Sequence, residues 1–296
     1  MTGTRDGTCT PLSLDSRFYK LEDDDEAAFF KRLTGIDDDE QLKKHILDVQ
    51  AKAYDIALYP CIRLFGFTKQ VLMAGFPVYR HVLRLGRERE GAILLDVGCC
   101  FGNDLRHAAL DGFPAQNMVG SDVLPGLWDL GHELFRSTPA TFPARFVGGD
   151  ALDPRVLAVA PIMYDEADVP PPPDLTTLTC LNTLRGSVSV IHASSFFHLF
   201  NGEKQLHLAR ALAGLLSPRP GSVIFGLHAG AHETGWIDEP LHGARVNMFC
   251  HNAESWDAMW DGGVFEEGTV RTESVLVPYP AGDDCFWVLE WSVTRL

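Results

Sequence analysis

An apolar run that ends in an acid and then meets two spaced glycines constrains this chain most: Ile93-Leu94-Leu95-Asp96-Val97-Gly98-Cys99-Cys100-Phe101-Gly102-Asn103-Asp104. It reads as a buried strand feeding a tight turn that opens into a helix. Glycine lets the backbone turn sharply and approach a ligand closely. The start of a helix offers N–H groups that have no partner within the helix. Together these features point to a nucleotide-like cofactor.

The segments around this turn supply the frame. Strands are expected at 92–97, 117–121, 144–148, 188–193 and 222–227, with helices at 105–110, 126–136 and 202–216 between them. His251 to Trp260 also reads as a helix. Two further strands lie within 264–277 and 286–294, joined by a Pro-Tyr-Pro-Ala-Gly-Asp-Asp turn. The alternation predicts an α/β fold: a doubly wound, seven-stranded, mostly parallel, Rossmann-like sheet with an antiparallel C-terminal edge hairpin. Upstream, residues 1–16 read as a flexible N-terminus and 17–90 as a helical N-terminal cap, leaving 91–296 for the sheet domain. The acidic runs at 22–26 and 37–40 each precede a helical pattern, where carboxylates favour the helix dipole. Pro60 is expected to start another helix, with Ile62, Leu64, Phe65 and Phe67 apolar.

Composition narrows the partners. The chain of 296 residues carries a formal net charge of −15 and no dense stripe of Lys or Arg, which disfavours nucleic acid. The first residues lack the apolar core of a signal peptide, and no apolar run is long enough to span a bilayer. A cytoplasmic protein with a small-molecule substrate and no membrane partner is expected, and a homodimer is left open. The seven cysteines form no CxxC pair and are read as reduced thiols, Cys99 and Cys100 as small turn residues; no metal ligands are expected.

Asp96, Asp122, Asp150 and His192 fall at four successive strand ends, where open α/β sheets bind ligands. A nicotinamide fingerprint would place its acid after the glycines. Here Asp96 stands before Gly98 and Gly102, Cys100 takes the place of a middle glycine, and Asp122 suits two ribose hydroxyls. This pattern resembles motif I of class I S-adenosylmethionine-dependent methyltransferases. The runs at 59–63 (Tyr-Pro-Cys-Ile-Arg), 94–102, 120–122 (Gly-Ser-Asp), 191–200 (Ile-His-Ala-Ser-Ser-Phe-Phe-His-Leu-Phe) and 251–256 extend the resemblance to a fungal group similar to the carboxyl O-methyltransferases of meroterpenoid biosynthesis.

The resemblance implies S-adenosyl-L-methionine as cofactor and a site for it. The backbone at Asp96, Gly98 and Gly102 would line its amino acid end. Asp122 would take the ribose hydroxyls, with Val123 near the adenine. Asp150 and the Ala151 amide would meet the adenine edge. His192 would face the methionine portion or the substrate, and Tyr59 and Arg63 would close the site from the N-terminal helices. His192 and His251 are the catalytic candidates. His198, His228, His232, Trp236, Trp256 and Trp260 stay open between core and pocket wall. An ionised carboxylate acceptor needs no general base, whereas a hydroxyl would need one. The implied reaction is O-methylation of a terpenoid or polyketide-derived carboxylate. Its rivals are cyclisation or isomerisation that uses the bound cofactor without methyl transfer, and a non-catalytic cofactor-binding regulator.

Overall fold

The computed structural model describes residues 13–21, 24–69, 72–171, 173–241, 244–281 and 284–296. Five apolar segments pair in parallel: β1 (Ile93–Val97), β2 (Met118–Asp122), β3 (Arg145–Gly148), β4 (Val188–His192) and β5 (Val223–Ala229). Next, β6 (Gly235–Leu241) and β7 (Ala244–Cys250) pair with each other as a separate hairpin. The last strands, β8 (Val270–Ala281) and β9 (Asp284–Arg295), return to the main sheet, β9 antiparallel to both β5 and β8. The order is β3-β2-β1-β4-β5-β9-β8. This is the expected seven-stranded, doubly wound sheet with its antiparallel edge hairpin. Every residue of β1 and β4 is buried, as strands covered on both faces require. The strand order reverses between β1 and β4. Their register sets Asp96 opposite His192, and that of β1 with β2 sets Val97 opposite Ser121.

The helices are α1 (Asp24–Thr34), α2 (Asp39–Ile56), α3 (Pro60–Arg63), α4 (Tyr79–Glu88), α5 (Asn103–Leu110), α6 (Pro125–Leu134), α7 (Gly202–Ala213) and α8 (Ala253–Trp260). Asp38 caps α2, its carboxylate accepting from Gln41 N at 2.9 Å, and Asp39 and Glu40 fill the first turn, the role expected for that acidic run. Part of the other acidic run, and residues 1–12 of the expected flexible N-terminus, lie outside the described residues. One apolar layer joins the N-terminal helices to the sheet domain. Ile46, Val49 and Ala53 of α2 pack with Phe101, Leu127, Leu130 and Leu134.

Three expectations change and one element is new. The helix from Pro60 stops after one turn, because Phe65 turns left-handed at φ 59°. Helix α7 ends at Ala213 rather than 216, because the following residues bond to β4: Val188 N donates to Leu215 O at 3.0 Å and Ser217 N to Val188 O at 2.8 Å. Pro278 and Pro280, read as a turn, extend β8, an edge strand on which a missing N–H is tolerated. The β6–β7 hairpin was not anticipated; Asp238, Glu239 and Pro240 interrupt any strand-like alternation there. No helix among the described residues is long and apolar enough to cross a membrane.

Candidate functional site

Three residues of the turn after β1 are left-handed: Gly98 at φ 76°, Cys100 at φ 49° and Gly102 at φ 71°. Cys100 therefore adopts the conformation of the glycine it replaces. A Cβ on Gly102 would lie 2.6 Å from the Trp128 ring and 2.7 Å from Arg106, so a side chain there is excluded twice over. Arg106 braces the turn from behind. Its Nη1 donates to Phe101 O at 2.6 Å and Gly102 O at 3.2 Å, while the buried guanidinium stands over Trp128, Phe135 and Phe142. Burial lowers its pKa to about 9.

Asp122 closes the same turn from β2. One carboxylate oxygen accepts from Cys100 N at 3.0 Å and the other from Leu124 N at 2.9 Å. Burial raises its pKa, and these amide bonds oppose the rise. Each carboxylate oxygen has two acceptor sites, so both retain capacity for a ligand hydroxyl. Val123 is exposed beside it. Gly149 N donates to Asp122 O at 3.0 Å, which brings the end of β3 alongside. There Asp150 is exposed and accepts from Leu152 N at 2.9 Å, with Ala151 half-buried. Tyr59 precedes α3; its phenol is pushed up by burial and then by the charge of Asp122. Arg63 turns elsewhere. Its Nε donates to Ser13 O at 3.1 Å and its guanidinium covers Phe18. The structure thus groups Gly98, Gly102, Asp122, Val123, Asp150 and Ala151 at one end of the sheet, with Tyr59 beside Asp122 and Arg63 engaged by the N-terminal segment.

His192 is placed differently from the expectation that it faces a ligand. It is buried, its Nδ1 meets Asp96 Oδ1 at 2.8 Å and its Nε2 meets Ser194 Oγ at 2.7 Å. Ser194 Oγ in turn accepts from Leu227 N at 3.2 Å. The order is that of a Ser–His–Asp triad, but the serine is buried and tied to β5. The chain of bonds braces the ends of β1, β4 and β5 rather than presenting a nucleophile. Burial lowers the His192 pKa, but the charge and hydrogen bond of Asp96, with Asp104 behind it, more than offset this, so the net direction is upward. Asp104, whose Oδ1 accepts from Met73 N at 2.7 Å, is raised by burial. The functional atoms of Asp96, Asp104 and His192 lie within 4.8 Å of one another.

His251 belongs to another cluster. Its ring packs on Phe249 and Trp256, its Nδ1 meets Ser255 Oγ at 2.8 Å, and burial lowers its pKa to about 4. His228 and His198 stand nearby and are likewise lowered by burial, His198 to about 4. Sequence reasoning missed Asp104, Arg106 and Ser194. Ser194 carried a signal of position alone, two residues after His192 within the run 191–200. Arg106 carried none, because a buried arginine held by aromatic rings and carbonyls has no acidic partner to announce it.

A family model described as the meroterpenoid methyltransferase N-terminal domain matches residues 18–68. The O-methyltransferase phiE of a fungal species is 32% identical over 236 residues, covering 80% of this chain and 70% of that protein. The asnovolin E/chermesin D methyltransferase nvfJ of Aspergillus novofumigatus is 30% identical over 220 residues, covering 74% of this chain and 69% of that protein. Among solved structures, an S-adenosylmethionine dependent methyltransferase from Mesorhizobium loti is 14% identical, covers 75% of this chain and 100% of that one, and superposes with a TM-score of 0.43.

Proposed function

The chain belongs to the fungal meroterpenoid methyltransferases, and on that premise we propose that it methylates a carboxylate oxygen of a terpenoid or polyketide-derived metabolite. The methyl donor is S-adenosyl-L-methionine, which brings both the methyl group and the leaving group. The observation that carries the reading is Asp122: a half-buried carboxylate at the end of β2, bonded to the amide of Cys100 in the glycine turn. The donor set fits the cofactor. Asp122 has acceptor sites left for two vicinal hydroxyls, and Gly98 and Gly102 keep the turn free of side chains where its backbone would line the amino acid end.

The remaining roles follow from position. Asp150 and the Ala151 amide would read the adenine edge, and Val123 would cover its face. Tyr59 would close the site from the cap formed by residues 17–90, with the transfer domain at 91–296. Asp96 would act on the turn through its backbone, and His192 would hold Asp96 and Ser194 in place as a positioning residue. His251 would meet the acceptor. The protein must exclude water from the acceptor and align one oxygen for in-line attack. Incubation with methyl-labelled cofactor and a series of terpenoid and aromatic acids tests this. The expected product is a labelled ester that releases its label as methanol in alkali; label that resists alkali would assign the transfer to another atom and overturn the carboxylate reading.

A further inference from the structure

Two carboxylates beside the glycine turn each keep an oxygen that the fold does not use. Asp96 lies in β1, and Asp104 lies in the first turn of α5, two residues after Gly102. Each is held through one oxygen. Asp96 Oδ1 accepts from His192 Nδ1 at 2.8 Å, and Asp104 Oδ1 accepts from Met73 N at 2.7 Å. Neither second oxygen has a hydrogen-bond partner among the described residues. Asp96 is only 3% exposed, so burial denies its free oxygen most of the water that an open carboxylate has. Asp104 is half-buried, which leaves the cluster a way in.

Distance joins them. An oxygen of Asp96, an oxygen of Asp104 and a nitrogen of His192 all lie within 4.8 Å of one another. A hydrogen bond from an ammonium to a carboxylate runs about 2.8 Å, so one ammonium nitrogen bridges two oxygens up to about 5.6 Å apart. Charge points the same way. Two carboxylates face one imidazole, which carries at most one positive charge, so the ionised cluster keeps a negative charge in a site poor in water. Both nitrogens of His192 are engaged, Nδ1 by Asp96 and Nε2 by Ser194 Oγ at 2.7 Å. The ring therefore offers a metal ion no lone pair unless the bonds that brace β1 and β4 break. The cation that suits the cluster is one that donates hydrogen bonds to oxygen.

We propose that Asp104 and Asp96 receive the α-ammonium of the methyl donor's amino acid end through their second oxygens, Asp104 supplying the charge that His192 does not balance. An ammonium carries N–H donors enough for both oxygens and one further acceptor. The assignment rests on the methyltransferase reading, and it adds side chains to an end of the site that the reading lined with backbone alone. Asp104 then joins two parts of the molecule. One of its oxygens holds Met73 of the N-terminal cap, and the other holds the cofactor.

Calorimetric titration of the unmodified chain and of Asp104→Asn tests it, with S-adenosylhomocysteine and with its des-amino analogue, in which hydrogen replaces the amino group. The substitution keeps an oxygen for Met73 N and removes the charge. Asp104→Asn should weaken S-adenosylhomocysteine by about tenfold or more and change the affinity of the analogue by less than about twofold. Equal weakening of the two ligands, or no weakening of either, overturns the proposal. Carbon NMR of the unmodified chain, labelled with carbon-13 at the aspartate side-chain carboxyls, gives a reading that needs no variant. Two carboxyl signals should move with S-adenosylhomocysteine and stay in place with the analogue; the same spectrum with both ligands overturns the pairing. Failure of the unmodified chain to bind S-adenosylhomocysteine would instead contradict the methyltransferase reading.

Discussion

Cys100 holds a left-handed backbone that glycine would adopt without strain. A residue with a Cβ costs about 1–2 kcal/mol in that conformation. Cys100→Gly is therefore expected to be more stable than Cys100→Ala by about 1 kcal/mol, after the entropy that glycine loses on folding. Urea denaturation of the two variants measures this, and equal midpoints would show that the turn is not strained. The motif residues were legible because each meets a backbone need of the turn: an acid before left-handed glycines, and a carboxylate at the end of β2 that accepts from Cys100 N. The burial of His192 was not legible. It depends on which strand lies beside β1, and the register that sets Asp96 opposite His192 joins positions far apart in the chain. The same holds for Ser194, whose partner Leu227 belongs to β5.

At the level of elements, α2 is bound to the sheet domain as closely as to its own neighbours. Helix α2 packs against α6 through the apolar layer around Ile46 and Leu134, with His45 Nε2 on Leu134 O at 2.9 Å and an ion pair between Lys52 and Glu133. Ile46 is fully buried. Ile46→Ala should cost about 2–5 kcal/mol in a single cooperative transition, read by tryptophan fluorescence and far-ultraviolet circular dichroism together. Two separated transitions would show that the N-terminal helices unfold on their own. The parallel strands were legible as apolar runs bounded by turn residues. The β6–β7 hairpin was not, since its strands answer to each other and to the Phe249 ring against α7, where a Cβ on Gly202 would approach to 2.8 Å. The prolines of β8 misled for a related reason: only the finished sheet shows that their side of the strand is an edge.

For the whole molecule, the buried histidines set a pH dependence with opposing limbs. His251 and His198 are held at about 4 by burial, and His228 is depressed as well. A depressed histidine contributes stability above its unfolded value of about 6.5, and loses it as pH falls toward the folded value, by roughly 1.4 kcal/mol per pH unit. His192 has the opposite sign. Its raised pKa gives stability that is full below the unfolded value and lost as pH rises through the folded one. Stability should peak near neutral pH, and His251→Gln should flatten the acid limb; a urea midpoint that climbs steadily as pH falls below 6 would contradict this. The central claim is that Asp122 and the glycine turn hold the cofactor. It is tested most directly by calorimetric titration of S-adenosylhomocysteine into the unmodified chain and into Asp122→Ala. The account predicts binding by the first and a loss of about 1.5–3 kcal/mol in the second, the cost of hydrogen bonds to a charged group; equal affinity in the two would contradict it.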